Sequence, residues 1–175
     1  EWGNDNTAIA HDYWWNTRNT KSYVFNPSNN KSEPVMFSDR NYQDRYSDPG
    51  SFVTKRNSYG RYTLDLDGDK AYLIGDGYSE NGKFPFIDEM NLKSNKISRL
   101  YQSGLTVKIE DISSAIDIKK GEILVRIESK TEYPNYYIHK DKVALESGID
   151  LDGVMENISE KYKAQKQIDI DGLKI

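Results

Sequence analysis

The chain has 175 residues, of which 36% are hydrophobic, and 13 Tyr, 5 Phe and 3 Trp lie along most of its length. That aromatic content argues against intrinsic disorder, because such side chains bury the surface that offsets ordering entropy. Lys and Arg total 24 against 28 Asp and Glu, a net charge of -4. No basic stripe of the kind that displaces counterions from phosphates is present, so nucleic acid is excluded as a partner. Apolar runs such as Ile123–Val125 are too short to span a bilayer, which excludes membrane insertion. Without cysteine there is neither a disulfide framework nor a thiolate metal site.

In chain order, period-two alternation and turn residues dominate. Strands are predicted at Thr7 to Trp14, at Ser22 to Phe25 and, after the turn cluster Asn26-Pro27-Ser28-Asn29-Asn30, at Pro34 to Phe37. A long polar connection follows, Asn41 to Gly50, punctuated by Pro49-Gly50. The next predicted strands are Tyr62 to Leu66, Ala71 to Ile74, Phe86 to Leu92 and Ile97 to Tyr101, which together read as a four-stranded meander. A third group comprises Ala115 to Ile118, Ile123 to Ile127 and Tyr136 to His139. The motif Leu64-Asp65-Leu66, turn, Ala71 to Ile74 recurs as Ile116-Asp117-Ile118, turn, Ile123 to Ile127. Its spacing of roughly 50 residues lies in the range of propeller blades. From about Asp141 the pattern weakens, and Gly153 to Gln167 reads either as a short helix or as loop leading into a strand. Glu1 replaces an initiator Met, and the alternation runs up to Ile175, so a cut from a longer protein is expected.

Few side chains point to chemistry. Asp65-Leu66-Asp67-Gly68-Asp69 has the look of a calcium loop, yet Lys70 stands where an EF-hand needs Gly; a hairpin turn is the reading. The same holds for Asp150-Leu151-Asp152-Gly153. His11 and His139 lie far apart on predicted strands, with no metal-binding spacing. Tyr13-Trp14-Trp15 could form a stacking platform, but the core is the expected destination of these rings.

Several separated segments carry a family resemblance. Asp44-Arg45-Tyr46-Ser47-Asp48-Pro49-Gly50 with Val53-Thr54-Lys55-Arg56-Asn57 resembles a linker in one branch of the prolyl-oligopeptidase family of serine peptidases. That branch holds glutamyl-endopeptidase-like enzymes and proteins related to dipeptidyl aminopeptidases and acylaminoacyl-peptidases. Tyr13-Trp14-Trp15-Asn16-Thr17-Arg18, Ala71 to Gly77, Phe84 to Asp88 and Glu132 to Tyr137 are similar to blade segments there, so the likeness spans Thr7 to His139.

The resemblance implies an all-β fold: a partial β-propeller of about two to three four-stranded antiparallel blades over residues 1–140. An irregular tail, 141–175, would lead toward an α/β-hydrolase domain. Catalysis in the family uses a G-x-S-x-G elbow followed by Asp and His. No such motif occurs here, so no catalytic residue, metal or cofactor is assigned. The implied role is non-catalytic: to support the hydrolase domain and gate peptide access. The parent protein would be periplasmic or secreted. Asp44, Arg45, Tyr46 and Arg56 are the gating or interdomain candidates, with Arg45 or Arg56 attracting acidic peptide ends. The alternative for these arginines is pairing with Asp44 and Asp48 to brace the connection. An incomplete ring would also leave blade faces bare; a few hundred Å² on each costs on the order of 10 kcal/mol, so self-association is expected. The alternative function is a free-standing β-rich protein- or carbohydrate-binding module.

Overall fold

Alternating side chains and Asx, Gly and Pro turns produce an all-β chain in the computed structural model, which describes residues 1–139 and the backbone of 156–157. Three four-stranded antiparallel sheets and two small two-stranded ones account for its strands. The chain divides into two compact units, Glu1–Ser79 with Phe86–Arg99, and Glu80–Pro85 with the chain from Leu100 onward. The expected tail from residue 141, including the helix-or-strand alternative at 153–167, lies outside the described residues apart from that two-residue strand.

The first sheet is a plain meander of β1 (Trp2–Asn4), β2 (Thr7–Trp14), β3 (Asn19–Phe25) and β4 (Val35–Asn41). Strand β2 has the predicted bounds, because alternation starts after Asn6 and ends at the Asn16–Arg18 turn, where Arg18 adopts a φ of 57°. Ile9, His11 and Tyr13 pair across to Val24, Ser22 and Thr20 on β3. The apolar end of that face enters the core, and the polar end carries a hydrogen bond between His11 Nδ1 and Ser22 Oγ at 2.8 Å.

The second sheet is ordered β12, β11, β8, β5, from β5 (Ser51–Phe52), β8 (Lys70–Gly75), β11 (Phe86–Asn91) and β12 (Lys96–Gln102). Between β5 and β8 lies a hairpin of β6 (Thr54–Arg56) and β7 (Tyr62–Leu64); β9 (Tyr78–Ser79) and β10 (Gly82–Lys83) form a second short ribbon. This corrects one expectation: Tyr62 to Leu66 is not the first strand of the meander. Asn57 closes a local turn, its Oδ1 accepting from the Tyr59 and Arg61 N–H groups at 3.0 Å each, and so folds β7 back onto β6. Ser51 and Phe52 take the vacated edge beside Ile74 and Leu73. The repeat therefore fails as an alignment of strands, although the fold class stands.

Ala71, Tyr72 and Leu73 are buried in succession, as befits a central strand covered on both faces. Ile9, Phe52, Leu64, Ala71, Leu73, Met90 and Leu92 form one apolar core, with Val24, Phe37 and Leu66 packed against it. Phe37 meets Phe52 edge-on, ring centroids 5.9 Å apart. Each fully buried large aliphatic here contributes about 1.5–3 kcal/mol. Opposite Gly75 in the β8–β11 register stands Phe86, whose ring occupies the space a Gly75 side chain would need. Arg99 lies over that ring at 3.9 Å and donates to the two oxygens of Asp88 at 2.5 and 3.3 Å.

In the second unit, β13 (Ile109–Asp117), β14 (Glu122–Glu128), β15 (Asn135–His139) and β16 (Glu156–Asn157) form the third sheet in meander order. Ile123, Val125 and Ile127 alternate inward along β14. A 3-10 turn, Ile118–Lys120, joins β13 to β14; Asp117 accepts from the Lys120 N–H at 3.2 Å, and Gly121 ends the turn in the left-handed region. Glu110 is buried and accepts from the Tyr101 hydroxyl at 2.6 Å and the Ser103 hydroxyl at 2.7 Å. His139, fully buried, packs its ring edge-on against Tyr101 at 5.5 Å.

Candidate functional site

The connection from β4 to β5 is built from side chains that mimic backbone turns. Asn41 Oδ1 accepts from the Gln43 N–H, Asp44 Oδ1 from Tyr46 and Asp48 Oδ1 from Gly50, each at 2.9 Å. The Ser47 hydroxyl, then the Tyr46 N–H, hold the Asp44 carboxyl below the usual carboxylate range, against an opposing effect of burial. Arg40 ties the ends together. It donates to the Asp44 carbonyl at 2.9 Å and lies 3.1 Å from Asp48 Oδ1.

Arginine–aspartate bracing of this connection is therefore present, but the arginine is Arg40 rather than Arg45 or Arg56. The Arg45 guanidinium carbon lies 5.3 Å from the centre of the Tyr78 ring. Tyr46 is exposed, tied to the loop through its backbone. Arg56 sits apart on the β6–β7 hairpin, 5.2 Å over its cross-strand partner Tyr62. Three of the four candidates thus share one connection, and the fourth is elsewhere.

A cleft of about 680 Å³ opens between this connection and the end of β8. Tyr42, Arg45, Asp48 and Gly50 line one wall, and Asp76 and Tyr78 the other. Its volume falls in the range of small-ligand sites. Tyr42 is fixed on three sides: its N–H donates to the Arg18 carbonyl at 2.8 Å, its hydroxyl accepts from Arg18 at 3.2 Å, and its ring meets Tyr13 edge-on at 6.1 Å. Sequence reasoning passed over Tyr42, Asp76 and Tyr78. The available signal was Gly75-Asp76-Gly77-Tyr78, a polar, glycine-flanked break just where a buried strand ends.

The other motifs have plain outcomes. Asp67-Gly68-Asp69 is a turn closed by an Asp67–Lys70 bridge. Among the described residues, no group of three or more His, Asp or Glu is placed to hold a metal ion. Tyr13, Trp14 and Trp15 are at the surface, 67%, 44% and 73% exposed, rather than in the core. Each tryptophan instead carries a cation, Arg18 over Trp15 at 4.1 Å and Lys21 over Trp14 at 5.6 Å.

Two curated proteins resemble this chain. It is 30% identical over 149 residues to "probable glutamyl endopeptidase, chloroplastic" of Arabidopsis thaliana, and 28% identical over 150 residues to the protein of the same name from Oryza sativa subsp. japonica. These matches cover 77% and 78% of the chain but only 16% of either relative. The chain is thus related to a segment of proteins named as peptidases, and spans about 16% of the length of the relatives it matches. No protein-family model matches it. No solved structure gives a significant match.

Proposed function

We propose that this chain is a non-catalytic β-propeller segment of a serine peptidase of the prolyl-oligopeptidase family. Its role there is to support a hydrolase domain encoded elsewhere in the same protein and to screen peptides on their way to it. One observation carries the reading: most of the chain aligns with a small, continuous share of peptidase-named relatives several times its length. Meandering four-stranded antiparallel sheets, the usual form of propeller blades, support it. So does the preformed cleft beside Arg45, which offers recognition groups. The partners that follow are the hydrolase domain, peptides and, for the chain in isolation, a second copy covering bare sheet faces.

The test is the parent reading frame together with a peptidase assay. A frame that runs on into a G-x-S-x-G segment, with turnover by the whole protein and none by the 175-residue chain, supports the proposal. Turnover by the chain alone overturns it. A second reading, a free-standing protein- or carbohydrate-binding module, is favoured by the exposed Tyr13, Trp14 and Trp15. A stop codon shortly after Ile175, with glycan binding lost on Trp15→Ala, would select it.

A further inference from the structure

We propose that a second cavity, between the β2–β3–β4 face and the entry to β5, binds a small neutral polyhydroxy molecule, a polyol or a single sugar ring. The cavity measures about 220 Å³, and neither exposed tryptophan, Trp14 or Trp15, lines it. The inference therefore rests on neither functional reading above.

Strand register builds the polar floor. Tyr13, Thr20 and Arg40 pair in one row across β2, β3 and β4, and His11, Ser22 and Ser38 pair in another. Rows two residues apart share a face, and all six of these residues line the cavity. Thr20 is 6% exposed, and its Oγ1 is buried without a hydrogen-bond partner. A buried hydroxyl left unpaired is unfavourable, so a ligand that pairs with it gains a bond the free protein lacks. Ser22 is set to accept. Glu1 Oε1 lies 3.5 Å from His11 Nε2, which draws the proton of the neutral imidazole to that nitrogen. Nδ1 then accepts from the Ser22 hydroxyl at 2.8 Å, and the serine oxygen keeps its lone pairs for the ligand. The Tyr42 hydroxyl accepts from Arg18 at 3.2 Å and has its own proton to donate.

Mixed donors and acceptors of this kind suit a ligand whose hydroxyls do both. The charges on the lining are already answered within it: Arg40 lies 3.1 Å from Asp48, and Glu1 faces His11. An incoming ion would lose hydration there without compensation, which favours a neutral occupant. Phe37, Phe52 and Leu73 complete the lining and offer apolar surface to the ligand's carbon skeleton. The volume is below the about 300 Å³ at which drug-sized sites begin, so the occupant is a short polyol or one ring.

The experiment follows amide chemical shifts of the isotopically labelled 175-residue chain during titration with D-glucose, glycerol, sodium acetate and methylammonium chloride. Saturable shifts at Thr20, Ser22 and Ser38 are expected with glucose or glycerol, and none there with either ion. Whichever neutral probe binds more tightly separates a sugar ring from a short polyol. Thr20→Val keeps the branched shape and lacks the hydroxyl, so it should weaken binding about fivefold, the scale of one hydrogen bond. Thr20→Ser should retain most of the affinity, and Trp15→Ala all of it. Unchanged shifts outside the cavity show that each variant remains folded. The absence of saturable shifts with both neutral probes overturns the site, as does equal binding of acetate or methylammonium. Affinity that survives Thr20→Val overturns it too, and so does affinity lost on Trp15→Ala, which would place the ligand on the exposed tryptophans. None of these outcomes touches the reading-frame test, so the two proposals fail separately.

Discussion

Gly50 lies so close to Ile74 that a Cβ on it would stand 2.3 Å from the Ile74 carbonyl oxygen. Its φ of +83° is also one that side-chain-bearing residues rarely adopt. Both constraints arise where the Asn41–Gly50 connection enters β5, so the same residue seats the edge strand and closes one wall of the cleft. Gly50→Ala is expected to cost roughly 3 kcal/mol or more, since backbone clash and backbone strain add. Thermal melts of the purified variant check this. A melting temperature within a degree or two of the parent would contradict the packing described here.

Leu73 and Trp15 make an opposed pair for a second test. Leu73 is 1% exposed within the core, whereas Trp15 is 73% exposed, with Arg18 over its ring. Truncating a buried leucine removes its transfer free energy and leaves a cavity, so Leu73→Ala should lose about 2–5 kcal/mol. Trp15→Ala should change stability by no more than about 0.5 kcal/mol, as surface positions do. Urea denaturation of both variants decides it, and a large loss at Trp15 would mean that its ring is buried in solution.

Much of the strand pattern was legible because alternation is a local property. Thr7–Trp14 was read with its true ends, and the strands around Ala71–Ile74, Phe86–Asn91 and Tyr136–His139 were each read to within a few residues. What misled was pairing. Tyr62–Leu66 alternates as well as any edge strand, but Asn57 supplies a turn that claims it for a hairpin, while the two-residue strand Ser51–Phe52 is too short to show a period. The site was legible by half. Arg, Asp and Tyr at positions 44–46 stood out as excess polar chemistry in a long connection. Which arginine braces the loop depends on strand register, and alternation carries no such information: Arg40, at the end of β4, reaches Asp48, while Arg45 is left to Tyr78. Tyr78 itself comes from a segment more than thirty residues downstream, on the far side of the β5–β8 pairing.

Tyr72 gives the fold an alkaline limit. Burial, and then the negative charges of Glu89, Asp67 and Asp65, push its phenol up to about 12. The unfolded chain would ionise it near 10. Between those values the native state binds the proton that the unfolded state has released, so stability falls as pH rises from about 10 to about 12 and is unaffected by this group below that window. Tyr72→Phe cannot ionise, and its denaturation midpoint should decline less steeply over the same interval. Parallel curves for the two proteins would show that Tyr72 contributes nothing to the pH dependence.

Glu110 sets the last test, in the second unit. Its two carboxylate oxygens each accept from a hydroxyl, Tyr101 at 2.6 Å and Ser103 at 2.7 Å, with the residue 2% exposed. Two donors facing two oxygens suit an ionised carboxylate, which accepts at both positions. A glutamine amide offers only one acceptor, so in Glu110→Gln one hydroxyl must turn away or face an N–H. The expected loss is about 1–3 kcal/mol, the cost of a buried group left unsatisfied. Glu110→Ala removes both of these acceptors and opens a cavity, and should cost more. The decisive measurement is a double-mutant cycle with Tyr101→Phe: both substitutions act on one hydrogen bond, so their effects should be non-additive. Strict additivity of the two substitutions would mean that the carboxylate does not organise these hydroxyls.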